Sequence, residues 1–271
     1  MLFGVLGELL VDDGVTQHPL TASKQRILLA SLALSANHIV PVDELVDLVW
    51  DGSPPDSWRA ALHNYVARLR KSIGFAGPRL VTRSPGYVLE ISGDAEADWR
   101  LFEALSSQTQ AAVQSGGWEQ AGSVVRSALA LWRGVPLIDV PCEPLRREWV
   151  PALTERWLQL VEWRIESDLR LHHDSNLVVE LTPLVSAHPL RERFHCQLMA
   201  ALYRSGRQAE ALAVYQRARR LLVSDLGIEP GPELQQMHRQ VLSGTADSPP
   251  RSGGGRRPSG GPLPDSMCLR K

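Results

Sequence analysis

Six basic side chains and no acidic one lie between residues 59 and 83. They are Arg59, Arg68, Arg70, Lys71, Arg79 and Arg83. The first 58 residues carry two basic and eight acidic side chains, and the 271-residue chain has a net charge of only −1, so the positive charge is local. Such a segment attracts phosphates whatever the base sequence, because each neutralised phosphate releases counterions. This segment therefore indicates binding to a nucleic acid.

Most of this basic segment has the periodicity of an amphipathic helix, which we predict over Trp58–Ile73. At about 100° per residue, one face is apolar and consists of Trp58, Leu62, Tyr65, Val66, Leu69 and Ile73. The opposite face is small, polar or cationic and consists of Ala60, His63, Asn64, Ala67, Arg68 and Lys71. Arg59 and Arg70 lie on the margin nearer the apolar face. One side is suited to packing and the other to a ligand.

The polar face of this helix has the residue types that read DNA. An α-helix fits the major groove, where Asn reads adenine and Arg reads guanine in a bidentate manner. We therefore expect Asn64 and Arg68 to face bases, and His63 to face either a base or a phosphate. The residues expected to contact phosphates are Arg59, Arg70 and Lys71.

The elements around this helix have the order of a winged helix-turn-helix. Apolar alternation predicts a small sheet within residues 2–19, followed by a helix capped by Thr21 and a second helix over Val42–Trp50. After the basic helix, residues 80–83 and 87–91 predict a hairpin with its turn at Ser84-Pro85-Gly86. Arg83 and Tyr87 flank that turn. We expect Arg83 to reach a phosphate or the minor groove, and we include Tyr87 as a DNA-binding candidate, although tyrosines in such places more often pack.

Helical patterns replace strand patterns after residue 93. The segment from Ala200 to Ala218 is similar to a tetratricopeptide helix pair, with small residues where helices approach closely. Residues 244–271 are rich in Gly, Pro, Ser and Arg, which predicts a disordered tail. The predicted fold is mainly α. An α+β winged helix-turn-helix domain (1–93) precedes an all-α tetratricopeptide-like domain (97–243).

Other classes of protein are poorly supported by the sequence. The chain has no GxxxxGK[ST] phosphate loop and no nucleophile, acid–base or metal-ligand pattern in a supporting context, and its three cysteines are far apart. We therefore expect no enzymatic activity, cofactor or metal. The most apolar helical run, Ile27–Ala36, is too short to span a bilayer. We expect a cytoplasmic, nucleoid-associated protein that does not bind membranes.

Several motifs carry a family resemblance that covers about residues 2–243. Leu20–Arg26, Val42–Trp50 and Ala61–Lys71 resemble the OmpR-type winged helix of the Streptomyces antibiotic regulatory proteins, and residues 83–89 resemble its wing. Leu131–Leu137 and Leu226–Leu234 resemble the bacterial transcriptional activator domain that adjoins it in that family.

The resemblance implies a transcriptional activator that binds direct repeats in promoters of secondary-metabolite clusters. Its implied partners are double-stranded promoter DNA, RNA polymerase and a second copy of the chain on DNA. Polymerase would be contacted by the loop 51–57, through Asp51 and Asp56, although this loop could equally be a plain connector. Some members continue into an ATPase, so the chain is either a small member or a fragment. A protein-interaction scaffold, a repressor and a ligand-sensing regulator remain alternatives.

Overall fold

The computed structural model describes residues 2–74, 79–173 and 176–245, so the predicted tail lies outside the described residues from 246 onward. The chain divides into two compact units. Of the described residues, the first contains those up to 108 together with 126–158, and the second contains 109–125 together with 159–245. This division differs from the predicted boundary at 93–97, because the start of the first long helix after the hairpin packs with the first unit.

The first unit contains the predicted winged helix-turn-helix. Its helices are α1 (Ser23–Leu34), α2 (Val42–Trp50) and α3 (Trp58–Ser72). A three-stranded antiparallel sheet, ordered β3-β5-β4, is formed by β3 (Val40–Pro41), β4 (Leu80–Arg83) and β5 (Gly86–Leu89). A separate ribbon pairs β1 (Leu2–Gly4) with β2 (Leu10–Asp12). The predicted N-terminal sheet and hairpin are thus both present.

The core of this unit is formed by almost the whole of α1 and by one apolar face each of α2 and α3. Residues 27–34 of α1 are buried throughout, whereas α2 buries Leu45, Val46 and Val49. On α3 the buried positions are Leu62, Val66 and Leu69, at 2%, 1% and 0% exposure. Spacings of three and four residues place these side chains on one stripe. Packing of that stripe fixes which face of α3 points to solvent.

Two local details differ from the sequence-based expectations. Helix α1 begins at Ser23 with Ala22 as its N-cap residue and no side-chain cap, so the predicted cap at Thr21 is wrong. Strand β3 cannot be predicted from the sequence, because two residues are too few to show an alternating pattern. Its place in the sheet explains Gly86, where an added Cβ would lie 1.8 Å from the Val40 carbonyl oxygen.

Three helices begin the helical region, namely α4 (Asp98–Gln114), α5 (Trp118–Leu129) and α6 (Glu143–Arg170). The second unit continues with α7 (Leu177–Ala187), α8 (Glu192–Arg204), α9 (Gln208–Leu226) and α10 (Pro232–Ser243). Ala211 and Ala218 on α9 are 0% and 2% exposed, consistent with the close helix packing predicted for them. Helix α9 has its predicted bounds and ends at Gly227, whose φ of +67° suits a glycine cap.

A buried carboxylate joins three separate segments of the first unit. Asp98, at the start of α4, is 0% exposed and accepts hydrogen bonds from the backbone N–H groups of Val5 and Leu6 at 2.9–3.0 Å. Its Oδ2 also lies 2.9 Å from Nη1 of Arg133, which follows α5. The Nη2 group of Arg133 donates to the Glu8 carbonyl. The N-terminal ribbon is therefore fastened to α4 and to the segment after α5.

Candidate nucleic-acid interface

One face of α3 is a continuous exposed stripe. We call it the α3 stripe, and it consists of Arg59, Ala60, His63, Asn64, Ala67, Arg68 and Lys71. The stripe contains no acidic residue, and its alanines leave the helix backbone open to close approach. It lies opposite the buried Leu62, Val66 and Leu69. A helix presented in this way has the width and chemistry that a DNA groove accepts.

Asn64 and Arg68 occupy the middle of the α3 stripe, four residues apart. Both are exposed, as predicted, and within the described part of the chain neither has a side-chain hydrogen bond or ion pair. Residues four apart lie side by side on a helix. An amide and a guanidinium are thus placed where they could contact neighbouring base pairs.

Two further cations belong to the same stripe. The Arg59 guanidinium lies 4.6 Å from the centroid of the half-buried Trp58 ring, and the residue remains exposed. Lys71 is exposed near the C-terminal end of the helix. Arg59 therefore belongs to the exposed face, although the helical projection placed it on the margin near the core. Positions at both ends of a groove-bound helix suit contacts to phosphates rather than to bases.

The guanidinium of Arg70 is bonded within the protein, whereas the sequence predicted that it contacts a phosphate. Its Nε donates to the Leu80 carbonyl at 2.8 Å, and its Nη2 donates to the Thr82 hydroxyl at 2.9 Å. Both acceptors are on β4, so the guanidinium attaches the hairpin to α3. No local sequence pattern identifies Thr82, because the register that brings it beside α3 is a tertiary property. Arg70 is a structural link between the helix and the wing.

Tyr87 also departs from its predicted role. It is only 2% exposed, so its ring packs in the core of the unit and does not present a DNA-binding surface. Burial raises the pKa of its phenol above the ordinary value, partly offset by the positive charge of Arg70. The hydroxyl lies 3.3 Å from Nδ1 of His63. Tyr87 therefore reaches the α3 stripe only through His63.

The remaining basic residues of the segment have carboxylate partners. Arg83, beside the hairpin turn, is 58% exposed and lies 2.6 Å from Glu90. Arg79 donates to Glu96 at 2.6 Å, and this hydrogen bond lowers the pKa of the Glu96 carboxyl. The Arg83–Glu90 pair is exposed, and exposed ion pairs contribute little stability. Arg83 can therefore exchange Glu90 for a phosphate at small cost, and its predicted contact stays a prediction.

The loop between α2 and α3 projects into solvent. Residues 51–57 are all exposed, including Asp51 and Asp56. Asp51 caps α2 in the left-handed conformation with φ of 51°. The two carboxylates are presented on a loop that carries no basic residue. They are available for a basic partner surface.

Two other features are absent from the described ranges. Among residues 2–74, 79–173 and 176–245, no group of three or more His, Cys, Asp or Glu side chains is arranged to hold a metal ion. In the same ranges no helix is both long and apolar enough to cross a membrane.

Comparisons with known proteins agree with this architecture. Residues 97–242 match the family model described as the bacterial transcriptional activator domain. Residues 17–89 match the model described as "Transcriptional regulatory protein, C terminal". The regulatory protein DnrI of Streptomyces peucetius is 35% identical over 251 residues, which cover 89% of this chain and 92% of DnrI.

Longer relatives share only part of their length with the chain. The regulatory protein AfsR of Streptomyces griseus is 37% identical over 99% of this chain, which spans 26% of AfsR. The solved structure of Mycobacterium tuberculosis EmbR, in complex with a low affinity phosphopeptide, superposes with a TM-score of 0.83 at 35% identity. That match covers 91% of this chain and 66% of the EmbR chain. The chain belongs to the Streptomyces antibiotic regulatory protein family of transcriptional activators.

Proposed function

We propose that the chain is a sequence-specific DNA-binding activator that places α3 in the major groove of promoter direct repeats. The observation that carries the proposal is the α3 stripe, which is exposed and free of acids and is held from behind by buried leucine and valine side chains. A rigid helix loses little conformational freedom when it binds. Its charge supplies attraction to any duplex, and its polar side chains supply the choice of sequence.

The stripe divides into positions for bases and positions for phosphates. Asn64 and Arg68 at its centre contact base edges, whereas Arg59 and Lys71 contact the backbone on either side. Arg83 at the hairpin adds a contact to a neighbouring phosphate or the minor groove. Thr82 and Leu80 hold Arg70 and thereby keep the hairpin beside α3. The hairpin and the helix then meet the duplex together.

Binding as a homodimer on direct repeats and recruitment of RNA polymerase complete the proposal. The exposed carboxylates of Asp51 and Asp56 face solvent on the loop that precedes α3, where they can meet a basic polymerase surface. The target class is a secondary-metabolite cluster, which is supported by the antibiotic regulatory family to which the chain belongs. The regulatory protein DnrI, which the chain matches along 92% of DnrI's length, supports a role in regulation.

The test of DNA recognition is selection of binding sites from a pool of random duplexes, followed by titration at several salt concentrations. We expect one consensus, present as a direct repeat, and Arg68→Ala should weaken binding to it by about 1–3 kcal/mol and relax sequence choice. The matched control is Arg220→Ala, which removes an exposed arginine from α9. Recovery of no consensus, or equal losses in both variants, would contradict the groove assignment.

Polymerase recruitment needs a separate experiment because it does not follow from DNA binding. In transcription with purified polymerase on the selected site, Asp51→Ala with Asp56→Ala should lose activation and retain DNA binding. Asp47→Ala, an exposed carboxylate on α2, is the control. Unchanged activation by the double variant would remove the loop from the proposal, and decreased transcription by the wild-type protein would identify a repressor.

A further inference from the structure

His63 has one ring nitrogen engaged inside the protein and the other without a partner. Its Nδ1 lies 3.3 Å from the Tyr87 hydroxyl, with the two rings edge to face at 76°. Within the described residues, Nε2 has no hydrogen-bond partner, and His63 is exposed in the α3 stripe between Ala60 and Asn64. The imidazole therefore connects the buried β5 to the exposed face of α3.

The backbone and the ring of Tyr87 are both held in place by neighbouring groups. Strand β5 is the central strand of its sheet, and Tyr87 pairs with Val40 on one side and Thr82 on the other. The guanidinium of Arg70 lies 6.0 Å from the centre of its ring. Burial raises the pKa of the phenol, so the hydroxyl keeps its proton and can donate it. A fixed donor on β5 thus faces the imidazole of α3.

The direction of this hydrogen bond decides the chemistry of His63. A neutral imidazole carries one N–H donor and one acceptor nitrogen, and the partner of the first nitrogen determines the role of the second. Within the described residues, the Tyr87 hydroxyl has no hydrogen-bond partner besides Nδ1. If Nδ1 were the donor, the buried O–H group would be left without an acceptor, which is unfavourable. Donation from the hydroxyl to Nδ1, with the ring hydrogen on Nε2, would satisfy both groups.

We propose that Tyr87 holds His63 in the Nε2–H form, and that His63 uses this N–H group to recognise N7 of a purine in the major groove. The proposal rests on the proposed DNA-binding function and names the chemistry of one base position. Purines present N7 as an acceptor, whereas cytosine presents an amino donor at the groove edge. Thymine presents an acceptor at O4, so a fixed N–H donor disfavours cytosine and is matched to N7, the acceptor that both purines share. Tyr87 is a positioning residue that acts through His63.

The tautomer can be measured without DNA. In the full chain labelled with ¹⁵N at histidine, long-range ¹H–¹⁵N spectra distinguish protonated from unprotonated ring nitrogens, and His63→Gln assigns the signals. We expect the Nε2–H form in the wild-type protein and a mixture of both neutral forms in Tyr87→Phe, which removes only the hydroxyl. A dominant Nδ1–H form in the wild-type protein would overturn the proposal.

The base contact is tested on the duplex obtained by selection. Replacing each purine in turn by its 7-deaza analogue removes one acceptor, and we expect a single position to weaken wild-type binding about 3- to 10-fold, the range for one hydrogen bond. His63→Ala should show no loss at that position. In His63→Gln the side-chain amide reaches the position of Nε2, so this variant should keep the purine preference. In His63→Asn the amide is one methylene shorter, so this variant should lose the preference.

The outcomes separate this inference from the function on which it rests. Salt-sensitive, sequence-specific binding with no position sensitive to 7-deaza substitution would overturn the His63 contact and leave the DNA-binding proposal standing. A loss that is the same in the wild-type protein and in His63→Ala would also overturn it. Absence of duplex binding by the wild-type protein would overturn both proposals.

Discussion

Arg70 and Lys71 are adjacent cations on one helix, and their surroundings differ. Arg70 is bonded to β4, whereas Lys71 is exposed in the α3 stripe. Substitution of either residue by alanine removes one positive charge, so the two variants have the same net charge. Any difference between the two variants therefore reports local contacts, which makes the pair a controlled test of the interface.

The expected magnitudes follow from those contacts. Arg70→Ala loses two hydrogen bonds from a charged donor, of 2.8 and 2.9 Å. Since both are partly open to solvent, we expect a loss of about 1–3 kcal/mol in the free energy of unfolding. This corresponds to roughly 2–12 °C in Tm for a protein of this size. Lys71→Ala should change stability by less than about 0.5 kcal/mol.

DNA binding should show the reverse pattern. Lys71→Ala should reduce the slope of log K against log salt concentration by about 0.9, the value for one phosphate contact. Arg70→Ala should leave the slope unchanged at temperatures where the variant is folded. The assays are thermal unfolding and fluorescence anisotropy with a labelled duplex at four or more salt concentrations. A reduced slope and unchanged Tm for Arg70→Ala would refute the assignment of Arg70 to the hairpin.

Three further predictions concern the groove and the supports of the first unit. In competition between the selected site and single-base variants, Asn64→Ala should lose about 1–3 kcal/mol of discrimination at one adenine. Asp98→Ala should lower the free energy of unfolding in urea by about 3–5 kcal/mol, because it leaves Arg133 and two amides without their partner. The pKa of Glu96 is lowered by Arg79 from an ordinary value of 4.5, so its stabilisation is present above that pH and is lost as the pH falls through the folded-state pKa. The difference in stability between wild type and Glu96→Gln should therefore shrink on acidification.

Each of these three has an outcome that contradicts it. Equal loss of affinity for all duplexes in Asn64→Ala would show a backbone contact instead of a base contact. A change below about 0.5 kcal/mol in Asp98→Ala, the size expected of the exposed control Asp94→Ala, would mean that the buried network does not hold the ribbon. For Glu96→Gln, a stability difference that grows below pH 4.5 would mean that ionisation of Glu96 opposes folding.

Helical periodicity predicted the features that depend on one helix alone. The face of α3 and the full span of α9 follow from apolar residues spaced three and four apart, because that spacing fixes direction around the helix axis. Trp58 and Tyr65, however, are half-buried although the projection placed them in the core. Trp58 begins the helix beside an exposed loop, where few neighbouring atoms can cover it.

The features that the sequence did not reveal depend on contacts between distant segments. The partners of Arg70 and the burial of Tyr87 are set by the register of β4 and β5 against α3, and register is a tertiary property. The bond between Asp98 and the amides of residues 5 and 6 spans more than 90 positions in the chain. No local pattern encodes a pairing of that length, so Asp98 read from sequence is only the first residue of a helix.

The anchoring of the N-terminal ribbon by Asp98 bears on how the winged helix-turn-helix should be isolated. A fragment trimmed to the matched family segment 17–89 would lack both β1 and the carboxylate that binds it. A fragment ended at 93 would keep the ribbon but leave the amides of Val5 and Leu6 unsatisfied. Weak DNA binding by either fragment would then report a damaged scaffold and would say nothing about the recognition surface itself.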